Sequence, residues 1–499
     1  MDRTGIIDIG SNSMRLSIMQ EFANGGYYVL DEHKSSPRLF NEVGPSGELT
    51  ARGIQELTVH LREFLSLCDA YEVNRVIALG TAALRAATNA QSVVAEVKDS
   101  LGLEIEIISG QEEARLGYSA VMHTLTVQDA YLVDIGGGST EVTLVRQGRL
   151  VASYSFALGA VTMSRVKAPA GTAGLAVWRQ LAIDAFSQQG FIELTPGIEV
   201  IGIGGTIRNI ARVHQMAVGY PLSMTHNYAM TGAQVEETMR FLANMPLSRR
   251  KKIEGLSRER ADLILPGGAI LLALLSCTSS TRLRISGRGL RDGAFYTRRF
   301  SEFAGPPGSV LDTSVLHTLQ WFGGTESHAR HVTALAGQMF SAAVQVGLLP
   351  PQAVNILYAA AMLHRVGVNV NYYHYDRHTF YLIMSSSIYG LTHREILLAA
   401  AAASYKSRQK MRKLCSPYLS LCQDGDMDLA ARIGVLIRLA ETLDRRHSGR
   451  IPSVSLRLVD NRFELWLPPG SEAQVEISAT MALASHVKKV YGRNLEVCM

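Results

Sequence analysis

Three short turns carry residue types that hold anions. Gly10-Ser11-Asn12-Ser13, Gly136-Gly137-Gly138-Ser139-Thr140 and Gly204-Gly205-Thr206 each follow an apolar run. Such turns present backbone N–H groups and hydroxyls, which suit phosphate oxygens. One alone reads as a tight turn and nothing more. Three in one region point to a cleft that grips phosphate from both sides. Acids stand beside the turns: Asp8 and Asp134 end the apolar runs, and Glu141 lies close behind Asp134. Hard carboxylate oxygens hold Mg²⁺ directly or through water. Each aspartate could equally cap its own turn, and local sequence leaves both readings open. Glu112 and Glu113 open a helical stretch, where acids complement the macrodipole. Adjacent on a helix, they point about 100° apart, and spacing does not choose between them as a base.

The elements that must position these residues repeat. Gly5 to Ser13 is an apolar run breaking into a polar glycine turn, and Tyr131 to Thr140 does the same, with Asp134 lying 126 positions after Asp8. Each copy continues into alternating strands, across Asn24-Gly25-Gly26 in the first and Gln147-Gly148 in the second, which reads as a hairpin. Two copies of strand, turn and hairpin indicate a duplicated α/β domain. Between them the spacing predicts helices over 49–71, 82–100 and 111–125 and strands over 75–80 and 103–109. A strand over 198–203 opens onto Gly204-Gly205-Thr206 and a helix. Phe303 to Ser309 is Gly/Pro-rich and reads as a linker. Beyond it the chain is helical and alanine-rich to Leu443. It ends in a hairpin over 454–467 and a helix over 481–491. The domains expected are 1–128, 129–302, 311–449 and 450–499.

Composition narrows the function. The 499 residues suggest about three domains. A formal charge of +5 is too small for a dedicated DNA-binding protein, but clustered charge still suits an acidic ligand. Five cysteines without CxxC spacing argue against a disulfide framework or zinc cluster and for a reducing interior. The longest apolar stretch, Leu265 to Cys277, is broken by Pro266-Gly267-Gly268 and too short to span a bilayer. With no export signal at the start, a cytoplasmic protein without membrane or nucleic-acid partners is expected.

Four ordered motifs carry a resemblance: Asp8-Ile-Gly-Ser-Asn-Ser13, Gly80-Thr-Ala-Ala-Leu-Arg85, Ser109-Gly-Gln-Glu-Glu-Ala-Arg115 and Asp134-Ile-Gly-Gly-Gly-Ser-Thr-Glu141. Together they resemble the exopolyphosphatase/guanosine pentaphosphate phosphohydrolase family, across residues 1 to about 300. The resemblance implies duplicated actin-like (ribonuclease H-like) ATPase-type α/β halves, then an HD-like all-helical domain and a small C-terminal α+β segment. It implies Glu113, rather than Glu112, as the catalytic carboxylate that activates water, and Arg85 as a phosphate-binding arginine, a role its planar fork suits. Locally, Arg85 reads as a solvated helix face. The expected phosphate ligands are Gly10, Ser11, Asn12, Ser13, Arg85, Gly136, Gly137, Gly138, Ser139, Thr140, Gly204, Gly205 and Thr206. Mg²⁺ is expected at Asp134 and Glu141, with Asp8 a further candidate ligand and K⁺ a further candidate cofactor. The expected activity is release of orthophosphate from the end of inorganic polyphosphate. The alternatives are hydrolysis of guanosine pentaphosphate, a sensor binding alarmone or polyphosphate without turnover, and an actin-like small-molecule kinase, for which Leu265 to Ala269 would be the nucleotide-side loop. A homodimer is expected.

Charge in the helical region suggests more. Lys406, Arg408, Lys410, Arg412 and Lys413 form a run without acids, a candidate polyphosphate track, and Arg249 to Lys252 is a second run. Charge runs are more often solvated faces. His328, His364 and Asp444 are spaced like an HD metal site, but the expected His-Asp pair reads His364-Arg365. A guanidinium has no acceptor for a cation, so metal chemistry is not expected there.

Overall fold

The computed structural model describes residues 2–22, 26–299, 309–469 and 473–499. The bend at Asn24-Gly25 and all of the predicted linker but Ser309 lie outside the described residues. The chain divides into two units, residues 1–307 and 308–499.

The first unit contains one topology twice. Strands β1 (Arg3–Ile9), β2 (Met14–Glu21), β3 (Tyr27–Ser35), β4 (Arg75–Gly80) and β5 (Ile105–Ile107) form a sheet of order β3-β2-β1-β4-β5. Strands β6 (Ala130–Ile135), β7 (Thr140–Arg146), β8 (Arg149–Phe156), β9 (Glu199–Ile203), β10 (Ala229–Thr231) and β11 (Arg282–Ile285) form a second, of order β10-β11-β9-β6-β7-β8. In each, the first strand pairs antiparallel with its hairpin partner and parallel with a later strand. This is the duplicated actin-like arrangement that the resemblance implies. The centre of strand β1, Gly5 to Ile7, is apolar because both faces of a mixed sheet are covered. Ile7 and Ile9 pack with Leu57, Leu61, Phe64, Val93 and Val97 of the covering helices, all buried.

Helix α1 (Ala51–Ala70) starts where the Thr50 hydroxyl accepts the Gly53 N–H at 3.2 Å. The predicted helix over 82–100 is instead two, α2 (Ala82–Ala86) and α3 (Ala90–Leu101). The break comes from Asn89, whose amide exchanges hydrogen bonds with the Leu49 backbone at 2.9 and 3.0 Å. Leu265 to Ala269 is not a nucleotide-side loop. It lies inside the helix Ile264–Cys277, whose residues 264–275 are all buried. No described helix is long and apolar enough to cross a membrane.

Two helices exchange between the sheets. Helix α4 (Gly110–Met122) belongs to the first repeat by sequence, yet its Tyr118 and Val121 pack with Ala130, Leu132, Val145 and Ile201 of the second sheet. The helix Leu290–Arg299, last of the second repeat, packs Ala294 and Phe295 with Ile6, Ile77 and Leu79 of the first. The repeats therefore interlock, and Glu113 is carried from one half to the strand ends of the other.

The second unit is helical from Val310 to Leu443, followed by the sheet β12-β13-β14 (Ser455–Val459, Arg462–Trp466, Asn494–Cys498). The predicted helix over 481–491 is shorter, Ala484–Tyr491, with a separate helix Gln474–Met481 before it.

Candidate active site

The three predicted turns meet at the strand ends. Gly10 N–H donates to the Ser13 carbonyl at 3.2 Å, and Gly136 N–H donates to that of Ser139 at 3.0 Å, the same bond in both repeats. The two turns face each other so closely that a side chain on Gly138 would sit 2.8 Å from the Ser11 hydroxyl. The third turn is the first turn of helix α5 (Gly204–Ala217). Gly204 has φ +85° and approaches Asp134 Oδ1, where a Cβ would lie 2.4 Å away. Both facts require glycine. Buried polar atoms mark where a ligand belongs: the Ser11 hydroxyl and both ends of the Asn12 amide have no partner in the protein. Buried groups of this kind are nearly always satisfied, and a phosphate would satisfy these.

Gly10, Ser11, Asn12, Ser13, Gly136, Gly137, Gly138, Ser139, Gly204 and Gly205 all line one cleft, together with Asp8, Asp134 and Glu113. Thr140 and Thr206 do not; both are buried beneath their turns. Five arginines that sequence reasoning missed share the lining: Arg15, Arg208, Arg260, Arg288 and Arg291. Arg208 Nη1 donates to the Gly287 carbonyl at 2.9 Å, and Arg291 pairs with Glu32 at 3.0 Å. Burial, and then Arg15, bring Arg208 down to about 9 and Arg260 to about 10. Crowded, desolvated guanidinium groups are what a polyanion would relieve. One signal was available for Arg15: it follows Asp8 by the same seven positions that separate Glu141 from Asp134.

Arg85, expected as a phosphate ligand, lies beside Glu113. It does not line the cleft, and its Nη1 donates to Glu113 Oε2 at 3.1 Å and to the Ile108 carbonyl at 3.0 Å. One arm of the fork is thus engaged with the carboxylate. Glu113 sits in the first turns of α4, which Ser109 caps by accepting the Glu112 N–H at 3.1 Å. Glu112 turns outward to pair with Arg115 at 2.8 Å, so the structure separates the two glutamates as the sequence could not. Burial, then the neighbouring Glu141, push Glu113 well above the usual carboxylate range, with Arg85 opposing.

Asp134, Glu141 and Ser155 form one cross-strand row, each opposite the next in β6, β7 and β8. Burial raises Asp134 to about 6; burial and Asp134 raise Glu141 to about 7. Burial also raises Asp8, against Arg291 and Arg15. Glu141, expected to join Asp134 in holding Mg²⁺ directly or through water, is not on the cleft wall. It stands behind Asp134, and its Oε1 accepts the Ser155 hydroxyl at 2.7 Å. Among the described residues, no three His, Cys, Asp or Glu side chains group to cage a metal. An Mg²⁺ that keeps its waters and takes substrate phosphate oxygens needs only one or two carboxylates. Asp134 and Asp8, acidic and cleft-facing, fit that demand.

The predicted track lies in the second unit. Lys406 pairs with Asp376 at 3.3 Å and Arg408 with Asp428 at 3.1 Å. Lys410, Arg412 and Lys413 are exposed on the helix Arg408–Cys415 and have no ion pair among the described residues. The run is therefore three open cations rather than five. His328, His364 and Asp444 do come together: His328 Nδ1 bonds Asp444 at 2.7 Å, and its ring lies 5.5 Å from that of His364. Arg365 pairs with Glu441 at 2.6 Å.

The model of the Ppx/GppA phosphatase family matches residues 18–301, and that of Ppx/GppA phosphatase, domain III, matches residues 310–476. A guanosine-5'-triphosphate,3'-diphosphate pyrophosphatase of Photobacterium profundum is 29% identical over 93% of this chain and 91% of its own. The crystal structure of an Aquifex aeolicus Ppx/GppA protein is 28% identical, with a TM-score of 0.54 over 61% of this chain and 99% of that one. A Cytophaga hutchinsonii exopolyphosphatase shares the fold at 23% identity and TM-score 0.54, over 60% of this chain and 97% of that one.

Proposed function

The chain belongs to the Ppx/GppA phosphatase family, and from that membership we propose that it removes the terminal orthophosphate of inorganic polyphosphate. The observation that carries the reading is the cleft lining. Glycine and hydroxyl turns, five arginines and Glu113 converge there, and no described lining residue is aromatic. Such a wall suits phosphate and offers no aromatic ring for a base to stack on.

In the proposed reaction, a water beside Glu113 attacks the terminal phosphorus in line, and the bridging P–O bond breaks. Glu113 accepts the water's proton, a role that its raised proton affinity favours. Orthophosphate leaves with the water's oxygen, and the polymer departs one unit shorter. Arg85 holds the Glu113 carboxylate in place. The unpartnered Ser11 and Asn12 side chains, with the turn N–H groups, take the phosphoryl oxygens, and the arginines take the charge of the chain. Mg²⁺, when bound at Asp134 and Asp8, would further spread the charge on the transferred phosphoryl.

A second reading changes only the substrate, to the 5'-terminal phosphate of guanosine 5'-triphosphate 3'-diphosphate, and the name of the Photobacterium relative favours it. One experiment decides: phosphate release from long-chain polyphosphate and from guanosine pentaphosphate, side by side with Mg²⁺. Faster turnover of the nucleotide would replace the first reading by the second. Release from neither would overturn both.

A further inference from the structure

Behind the cleft, one small side chain joins two parts that the reaction must hold in register. Ser155 lies on β8, directly opposite Glu141, which lies directly opposite Asp134. The row crosses three strands, so all three side chains share a face of the sheet. The Ser155 hydroxyl donates to Glu141 Oε1 at 2.7 Å, and Ser139 bonds the same carboxylate. Glu141 is buried, so a donor lost here is not replaced by bulk water.

The other side of Ser155 meets helix α4. Gly110, the first residue of α4, rests against it so tightly that a Cβ on Gly110 would lie 2.3 Å from Ser155 Cβ and 2.5 Å from its hydroxyl. Glu113 is three residues into that helix. The first turn of α4 can approach β8 this closely only because residue 110 is glycine and residue 155 is small. Glu141 is the charged group that acts most strongly on Glu113. The spacing of these two acids is thus set by how α4 seats on β8 and how Glu141 is turned, and Ser155 touches both.

We propose that Ser155 is a positioning residue of the hydrolytic reaction: its hydroxyl fixes the Glu141 carboxylate while its Cβ seats the helix that carries Glu113. Ser155 itself does not line the cleft, so its effect on the reaction runs through Glu141 and α4. The inference rests on Glu113 as the water-activating carboxylate.

The test is Ser155→Ala in the full chain, which keeps the Cβ and removes only the hydroxyl. Turnover with polyphosphate should fall about 10- to 100-fold, by analogy with losing a partner that orients a metal-ligating side chain. KM should stay within about twofold and the melting temperature within a few degrees of the parent. Unchanged kcat would overturn the proposal, as would parallel losses of kcat, KM and melting temperature, because those would mean packing alone. Gly110→Ala supplies a second arm. Its methyl must push α4 off Ser155, so kcat should fall while polyphosphate still binds; normal kcat would overturn the seating role. Glu113→Gln, run alongside, separates the two levels of the claim. If it remains active, the reading of Glu113 fails; if it is dead while Ser155→Ala is normal, only the present inference fails.

Discussion

The two repeats of the first unit share a backbone and divide the charge. In the first, Asp8 faces Arg15 across the hairpin and Arg15 faces Lys34; in the second, Asp134 faces Glu141 and Glu141 faces Ser155. The turns between them make the same hydrogen bond. Duplication has therefore kept the turn geometry and made one row basic and the other acidic. A polyanion laid between them meets Arg15 on one side and, on the other, Asp134, which burial has raised to about 6, with Glu141 behind it. The asymmetry suggests a division of labour between the rows: the Arg15 row, with the arginines of the second half beside it in the cleft, binds the chain, and the Asp134 row, with Glu113 delivered to it on α4, works on its end.

The largest effect should come from the working side. Glu113→Gln keeps the size of the side chain and removes the base, so kcat should fall about 10²- to 10⁴-fold while polyphosphate binding, measured by titration, stays near the parent value. Normal turnover in this variant, with Glu112→Gln the crippled one, would break the assignment.

The binding side should respond differently. Arg15→Gln removes one desolvated guanidinium from the cleft. KM should rise roughly tenfold to a hundredfold, the scale of one lost hydrogen bond to a charged group, with kcat changed much less. A kcat loss as deep as that of Glu113→Gln would erase the division between the rows.

Legibility followed range. The turns and the duplicated hairpins were readable because each is a local pattern of residue types, whereas Glu113 came from the family resemblance, its local pattern being that of an acid at a helix start. The arginines were not, since their place depends on packing between distant segments: Arg291 reaches the Leu16 carbonyl and Arg260 the Thr206 hydroxyl. Arg85 was found, but which of two acceptors a guanidinium takes is decided by the approach of α4, which is invisible in sequence. Ser155 carried no signal at all, because an unremarkable serine in a strand acquires meaning only from Glu141 and Gly110 beside it. The same limit applied to Ala87 to Asn89, where a contact with Leu49 overrode helical spacing.

A smaller effect is expected from the second unit. Lys410, Arg412 and Lys413 are open, whereas Lys406 and Arg408 are already paired. Changing the three open residues to Gln should raise KM for long polyphosphate several-fold and leave short chains and guanosine pentaphosphate almost unaffected. The salt dependence of binding should also flatten, by about 0.7 to 0.9 of a log unit per contact if each meets one phosphate. Equal losses on long and short substrates would return the run to a solvated face.

The smallest effect, none, is expected where the second unit most resembles a metal site. His328, His364 and Asp444 sit together, and the buried Nε2 atoms of both histidines lack partners in the protein. Their charge state is nevertheless the reverse of the cleft's. Burial works upward on Asp444 and Glu441 as it does on Asp134, but here it loses. Asp444 is held below the ordinary range by the Gly449 N–H and His328, and Glu441 by His364 and Arg365. A carboxylate already neutralised by its own neighbours has little left to offer a cation, and the Arg365 guanidinium repels one. Elemental analysis of the purified full chain should therefore find no stoichiometric Mn, Fe or Zn, and His364→Ala should leave both the metal content and the Mg²⁺-supported turnover where they were. One equivalent of a transition metal, lost on His364→Ala, would show that the two unpartnered nitrogens outweigh the balanced charges, and the contrast between the acidic row of the cleft and this cluster would collapse.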